Sequence, residues 1–417
     1  MDKLGLRHDR VRHRDGSHLL IAALLLSACS PATGNGDEDV PSGIDPWGLE
    51  DAAGDLANPP GGPDVDAPEP DSRVKPKDIA PPQPSCFEKN EGPDFLPFFS
   101  KSCQDEDLCP CNPTDMGMRV AHELDKAEKT LDICVMELQD FTVSDAVIAA
   151  HKRGVAVRLI LDDGYADPAE EKAVDYMKKA GIEIRNDENG AALMHSKFSL
   201  IDDDVLLVSS ANYSTFDSES NANNLLVLRS PALVQAFRTR FDSMWNKGQY
   251  HKKGDGKVHK AEVDGADVEV IFGPDWAMVD RLEKAIAGAK HSVHFSIFAF
   301  TLEEVKDAIL DRCGEVEIRG VYDAEQGDDG SSVATSGWCS GAVVVPSNVQ
   351  ASWGYRKLHH KVLIVDPGTP SAWVIAGSAN WSYSAATKND EIMIATNHPE
   401  IVAAFETEFQ ARLQEAQ

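Results

Sequence analysis

The sequence predicts an α/β chain built as two duplicated domains of one design, fused in tandem and packed about a pseudo-twofold axis. Three observations carry this. Helical and strand periodicities alternate along residues 113–417. The strand segments are close to continuously apolar, as strands covered on both faces are. A nine-residue pattern, MHSKFSLID at 194–202, returns 164 positions later as LHHKVLIVD at 358–366. A repeat that long is a duplicated domain, not a solenoid.

Before the duplicated region lie three segments of other character. Residues 1–28 carry Lys3, Arg7, Arg10, Arg12 and Arg14, then the short apolar run Leu19 to Leu26, then Ser27-Ala28. Eight apolar residues are too few to span a bilayer and read as the core of an export signal. The L-S-A-C ending at Cys29 resembles the bacterial lipobox, and that resemblance implies a lipidated Cys29 as the first mature residue. Residues 29–85 form an acidic, Pro-rich tether: positions 31–85 hold 12 of the 23 prolines and 12 acidic residues against Arg73, Lys75 and Lys77. Fixed φ and like-charge repulsion keep such a stretch extended and coreless. Residues 86–112 bring Cys86, Cys103, Cys109 and Cys111 together. In an exported chain these imply disulfides rather than zinc, and C-P-C is too tight for a zinc knuckle. Cys313 and Cys339 can pair in the second domain, whereas Cys134, inside the apolar run LDICVMEL, reads as a buried free thiol.

The two domains are assigned to 113–250 and 260–417, with a polar, Gly/Lys-rich join near 248–262. Each opens with a helix and strand (119–138 and 280–300). Each continues with a helix (144–153 and 302–312) and a strand (155–163 and 315–323). Each closes on a helix (231–246 and 399–416). The first has an extra helix at 168–180, which the second shortens to a loop around 327–339.

The chemical signal sits at one place in both copies. The repeated pattern is H-x-K-x4-D, with His195, Lys197 and Asp202 in the first copy and His359, Lys361 and Asp366 in the second. Ser210-Ala211-Asn212 and Ser378-Ala379-Asn380 follow. Eleven residues after each Asn stands Asn223 or Glu391. On a strand, positions i and i+2 share a face, so His and Lys converge and the apolar residues between them pack; His359 and His360 then point opposite ways. Two copies face to face supply two imidazoles, two ammoniums and two carboxamides around one locus, a cage for a phosphodiester. Lys and Asn stabilise the charge added in the transition state. One His attacks phosphorus and the other manages protons. The lysines supply the positive charge, so no metal or other cofactor is required, and the Asp202-Asp203-Asp204 run reads as a turn.

Both copies resemble the phospholipase D superfamily, in H-x-K-x4-D, in the G-S-x-N and N-x-E elements that follow, and in SIFAFT at 296–301. The resemblance implies α/β/α sandwich domains with both histidines at their interface and a metal-independent phosphohistidine mechanism. It makes His195 and His359 nucleophile and acid/base in unassigned order. Lys197, Lys361, Asn212 and Asn380, with Ser210 and Ser378, become phosphate ligands, Glu391 an imidazole partner, and Asp202 and Asp366 supports of the motif. Two departures stand out. Asn223 replaces the N-x-E carboxylate, which predicts unequal histidines and leaves Asp217 or Glu219 to substitute. Ser209 replaces the usual Gly, a small change.

The phosphodiester is less constrained. A formal net charge of −29 argues against nucleic acid held on a basic face. An exported, lipid-anchored chain meets phospholipid, and Ser30 after Cys29 points to the outer membrane or periplasmic face of a bacterial envelope. Hydrolysis or transfer of a phospholipid headgroup is the first reading. An endonuclease acting on DNA or RNA is the second, and an inactive envelope scaffold the third. Trp353, Tyr355, Arg356 and Lys357, just ahead of the second motif, are expected to rim the cleft. No apolar run approaches the twenty residues of a spanning helix.

Overall fold

The computed structural model describes residues 94–100, 115–188, 190–254, 256–347 and 357–417. Cys29, the four cysteines of the 86–112 segment, and Trp353, Tyr355 and Arg356 lie outside the described residues.

The first half contains β1 (Phe95–Phe99), α1 (Met116–Leu124), β2 (Thr130–Val135), α2 (Phe141–Lys152), β3 (Ala156–Leu161), α3 (Lys172–Lys179) and β4 (Glu183–Asn186). It continues with β5 (Lys197–Ile201), β6 (Val205–Ser209), α4 (Thr215–Glu219), β7 (Asn224–Arg229) and α5 (Pro231–Lys247). The second half contains β8 (His259–Val263), β9 (Ala266–Phe272), α6 (Ala277–Gly288), β10 (Ser292–Ile297), α7 (Glu303–Leu310), β11 (Glu317–Tyr322) and α8 (Ala324–Gly327). It ends with β12 (Val343–Pro346), β13 (Lys361–Val365), β14 (Trp373–Gly377), α9 (Tyr383–Thr387), β15 (Ile392–Thr396) and α10 (Pro399–Ala416).

The sheets run β1-β7-β6-β5-β2-β3-β4 and β12-β11-β10-β13-β14-β15-β9-β8. Apart from β8 the two orders are the same. In each, three strands are parallel through helical crossovers, and the motif strand, β5 or β13, joins antiparallel to the first of them. Each motif strand is thereby central and buried along its length.

Three apolar clusters give the layering. One lies outside the first sheet, with Val120, Leu131 and Val147. Another lies outside the second, with Leu282, Val293 and Trp381. The third is shared: Phe198, Phe237 and Phe241 of the first half pack with Val362, Ile364, Phe405 and Phe409 of the second. Helices α5 and α10 fill this middle layer, α5 touching β5, β6 and β8, and α10 touching β1 and β10–β14. Burying a Phe here stabilises by about 2 kcal/mol, and the contributors come from both halves. The two halves therefore share one core rather than meeting as separate domains.

Two boundaries move. β1 belongs to the first sheet although it falls in the segment assigned to 86–112, and it pairs antiparallel with β7 at the edge. The β8–β9 hairpin belongs to the second sheet, and a boundary at 260 cuts through β8. The extra helix of the first half is present as α3. Cys313 and Cys339 are disulfide-bonded, and Cys134 is a buried free thiol whose ionisation burial pushes well upward.

Candidate active site

The motif strands begin at Lys197 and Lys361, so His195 and His359 sit two residues ahead of them, outside the strands. Strand period therefore does not by itself aim the imidazoles. Backbone bonds between the halves do. Leu358 bridges Ala222, with Ala222 N donating to Lys357 O at 2.8 Å and His359 N to Ala222 O at 2.9 Å. In the reciprocal place Asp390 N donates to Leu193 O at 2.9 Å. Each histidine thus lies beside the other half's N-x-E or N-x-N segment.

The side chains follow the same crossing. His195 Nδ1 bonds Glu391 Oε1 at 2.8 Å. His359 Nδ1 bonds Asn223 Oδ1 at 2.9 Å and lies 3.3 Å from Asp217 Oδ1. These acceptors require hydrogen on both Nδ1 atoms. His195, Lys197, His359 and Lys361 are 1%, 0%, 3% and 2% exposed, so two ammoniums and two imidazoles share a desolvated interface. Lys197 Nζ donates to His195 O at 2.9 Å and Lys361 Nζ to His359 O at 3.1 Å. The carboxamide oxygens of Asn212 and Asn380 are buried with no protein partner among the described residues.

Asp217 is buried on α4, whereas Glu219 is exposed there. Burial opposes ionisation of Asp217, but His359, Asn221 and Asn223 outweigh it and hold the carboxyl far below its ordinary value. Both imidazoles therefore have a nearby carboxylate, and the expected inequality narrows to a difference in route.

Ser210 and Ser378 are corrected. Ser210 Oγ donates to Asn223 Oδ1 at 2.8 Å and accepts from Asn224 N at 3.0 Å. Ser378 Oγ donates to Glu391 Oε2 and accepts from Ile392 N at 2.9 Å. A hydroxyl has one proton, and here it is committed to the histidine partner, not to a phosphate. Asp202 and Asp366 stand at the far ends of β5 and β13, where they accept backbone N–H groups from 128–130 and 290–292. There they tie two strands together. His360 faces the shared core: Asn224 Nδ2 donates to its Nδ1 at 3.0 Å, and its Nε2 donates to Glu408 Oε1 at 3.2 Å.

Sequence reasoning missed a matched pair behind the motifs. Asp162 Oδ2 accepts from Met194 N, and Asp323 Oδ2 from Leu358 N, both at 2.8 Å. Each aspartate, at the end of β3 or β11, fixes the residue just before a histidine. Burial and Asp187 push Asp162 up to about 6, and burial raises Asp323. Their signal was legible as the Asp closing LILD and GVYD in each copy. Asp162, Asp163 and Asp187 bring carboxylate oxygens within 4.8 Å of one another. Asp162 accepts from Gly164 N within its own loop, and Asp187 accepts from Asp163 N of that same loop, which accounts for the cluster as loop structure. Phe298 was also missed as a site residue. Its ring meets His359 edge-on at 4.9 Å, with Lys361 and Lys357 above it at 4.8 and 5.4 Å.

This crossed pair of H-x-K motifs on duplicated sheets defines a class, and comparison places the chain in it. Residues 120–245 and 282–413 each match the family model described as "Cardiolipin synthase, PLD-like domain". The chain belongs to the phospholipase D-like family. It is similar to a mitochondrial cardiolipin hydrolase of Chlamydomonas reinhardtii, 37% identical over 134 residues, 32% of this chain and 59% of that one. The corresponding protein of Danio rerio is 32% identical over 127 residues, 30% and 56% of the two chains. A phospholipase D of Rickettsia conorii is 25% identical over 129 residues, 31% and 64%. The chain therefore spans about six-tenths of the length of these curated relatives. Among solved structures, the phosphatidylserine synthase of Haemophilus influenzae superposes with TM-score 0.53 at 10% identity, over 72% of this chain and 84% of the other. The polyphosphate kinase of Porphyromonas gingivalis gives 0.52 at 12% identity, over 76% and 50%. These two likenesses concern the fold.

Proposed function

We propose that the chain is a phosphodiesterase of the phospholipase D type, hydrolysing or transferring the headgroup of a phospholipid through a phosphohistidine. The observation that carries this is the reciprocal support of the two imidazoles, each bound at Nδ1 by the opposite half. With Nδ1 carrying hydrogen, Nε2 is the atom each ring presents to phosphorus or to a leaving oxygen. One histidine attacks phosphorus as the P–O bond to the leaving group breaks, and the other gives that oxygen a proton. The second then takes a proton from water or an alcohol, whose oxygen attacks phosphorus and releases the first histidine. Lys197 and Lys361 neutralise the non-bridging oxygens in a desolvated site, where charge acts strongly. Asn212 and Asn380 join them once their carboxamides turn NH2 toward phosphate. Ser210 and Ser378 hold the partners Asn223 and Glu391 in place.

Phospholipid is favoured over nucleic acid by the net charge of −29 and by the cardiolipin hydrolase and phospholipase D names of the relatives. Lipidation at Cys29, with 29–85 as tether, would hold the folded body near a bacterial envelope membrane. No helix among the described residues is long and apolar enough to cross one.

The test is purified protein against labelled phosphatidylcholine, phosphatidylglycerol, cardiolipin and single-stranded DNA in parallel. Lipid turnover is expected. His195→Ala and His359→Ala should each lower it by ~10³-fold or more, with circular dichroism unchanged. Cleavage confined to DNA would transfer the assignment to a nuclease. Equal rates in wild type and both variants would end the enzymatic reading. Trapping and mapping the phosphohistidine identifies the attacking residue.

A further inference from the structure

The two halves hold their histidines with different atoms. In one, Glu391 takes His195 directly, and the position five residues after Asn380 is the buried, apolar Ala385. In the other, the residue in register with Glu391 is Asn223, and the position five residues after Asn212 is Asp217. Asn223 Oδ1 receives His359 at 2.9 Å and Ser210 at 2.8 Å, while its Nδ2 donates to Asp217 Oδ1 at 2.9 Å. The same Asp217 oxygen lies 3.3 Å from His359 Nδ1 and receives Asn221 Nδ2 at 2.8 Å. A carboxylate has left one position and a carboxylate stands at another, with the amide joining it to the ring.

We propose that Asp217 is the positioning residue of His359, supplying from six residues upstream, through the Asn223 carboxamide, the negative charge that Glu391 supplies to His195 at first hand. This rests on the phosphodiesterase reading above. The physical reason is that an imidazole which accepts a proton during turnover must be neutralised inside a desolvated site. An amide orients the ring but carries no charge. Asp217 carries the charge, and Asn223 fixes the tautomer. The carboxyl of Asp217 is held far below its ordinary value, so that charge is present across the working range. The arrangement also explains why position 223 is not glutamate: with Asp217 in place, a second carboxylate there would bury two like charges against one ring.

Asp217 has a competing structural duty, because its Oδ2 accepts from Asn212 N at 2.8 Å. The test separates the two roles. Asp217→Asn keeps size but removes the charge and turns one acceptor oxygen into a donor, so either the bond from Asn212 N or those from the Asn221 and Asn223 amides is lost; kcat should fall ~10–100-fold, and the melting temperature should fall with it to an extent that the double variant below controls for. Asn223→Glu alone should also lower kcat. The double variant Asp217→Ala with Asn223→Glu reproduces the Glu391/Ala385 arrangement and should recover to within ~5-fold of wild type. A carboxylate at 223 cannot restore the Asn212 N–H bond, so recovery assigns the effect to His359. Asp217→Asn with at least half the wild-type kcat overturns the proposal. So does a folded double variant no faster than Asp217→Ala. If the double variant does not fold, Asp217→Asn alone decides. His359→Ala run beside them keeps the two readings apart: if it is as active as wild type, the phosphodiesterase reading fails, whereas if it is dead and Asp217→Asn is normal, only this proposal does.

Discussion

Asp202 and Asp366 turn the chain at the end of a motif strand in the left-handed region, with φ of 52° and 49°, and gather backbone N–H groups from the start of β2 and β10 respectively. Burial works against both charges, yet these donors prevail and hold both carboxyls below their ordinary value. A depressed folded-state value contributes stability above the unfolded value near 4 and loses it as pH falls through the folded one. Asp202→Asn and Asp366→Asn should therefore each cost ~1–2 kcal/mol at neutral pH and flatten the acid limb of a melting-temperature profile, with kcat little changed at temperatures where the variants stay folded. A variant that loses activity before stability would place these aspartates among the reacting groups. The motif spelled out His, Lys and Asp together, and their separation by function follows from strand length: five extended residues carry the Asp ~16 Å from the Lys. The serines misled for another reason. Sequence shows a hydroxyl near the site, not where its only proton goes.

Position 377 and its counterpart 209 show how a strand end tolerates one residue and not another. Gly377 has φ 132°, and a Cβ there would stand 2.2 Å from Ile392 O, on the strand that carries Glu391 into the site. Ser209 has no such constraint. Its Oγ donates to Asn224 O at 2.9 Å and accepts from Ala211 N at 2.8 Å. The exchange that looked minor in sequence marks two different backbone paths. Gly377→Ser should cost at least ~2 kcal/mol and lower activity by displacing Glu391, while Ser209→Gly costs less and leaves kcat within a few-fold. Chemical denaturation of both variants checks the order, and equal costs would reject it. Most elements were legible, because central strands are apolar and outer helices amphipathic. Two that were missed are sheet edges. β1 is FLPFF, with Pro97 tolerated only at an edge, and β8 is HKAEV, whose polar alternation resembles a loop.

Across the whole molecule, the join between the halves is itself a charged lock. His251 Nε2 bonds Asp187 Oδ2 of the first half at 2.7 Å, and its Nδ1 lies 3.4 Å from Asp390 Oδ2 of the second. Arg240 on α5 also reaches Asp390, which is fully buried and adjacent to Glu391. Burial disfavours the imidazolium, but the bond to Asp187 and the charges of Asp390 and Asp162 raise it overall. A raised folded-state value gives stability that is complete below ~6.5, the unfolded value, and fades as pH climbs through the folded one. The melting temperature should fall as pH rises above ~6.5, and His251→Gln should remove that slope. An unchanged slope in the variant would show that the lock does not titrate.

Sequence alone determined the duplication, the alternating architecture and the six side chains that repeat around one locus, because those depend on spacing within a single copy. Tertiary structure alone decided which partner each of these side chains has. His195 meets Glu391 across 196 residues and His359 meets Asn223 across 136, and both pairings exist only because two sheets share one apolar layer. No local period encodes a contact between copies; burial of that common face brings them together, and hydrogen-bond demand in the dry interface sorts the atoms.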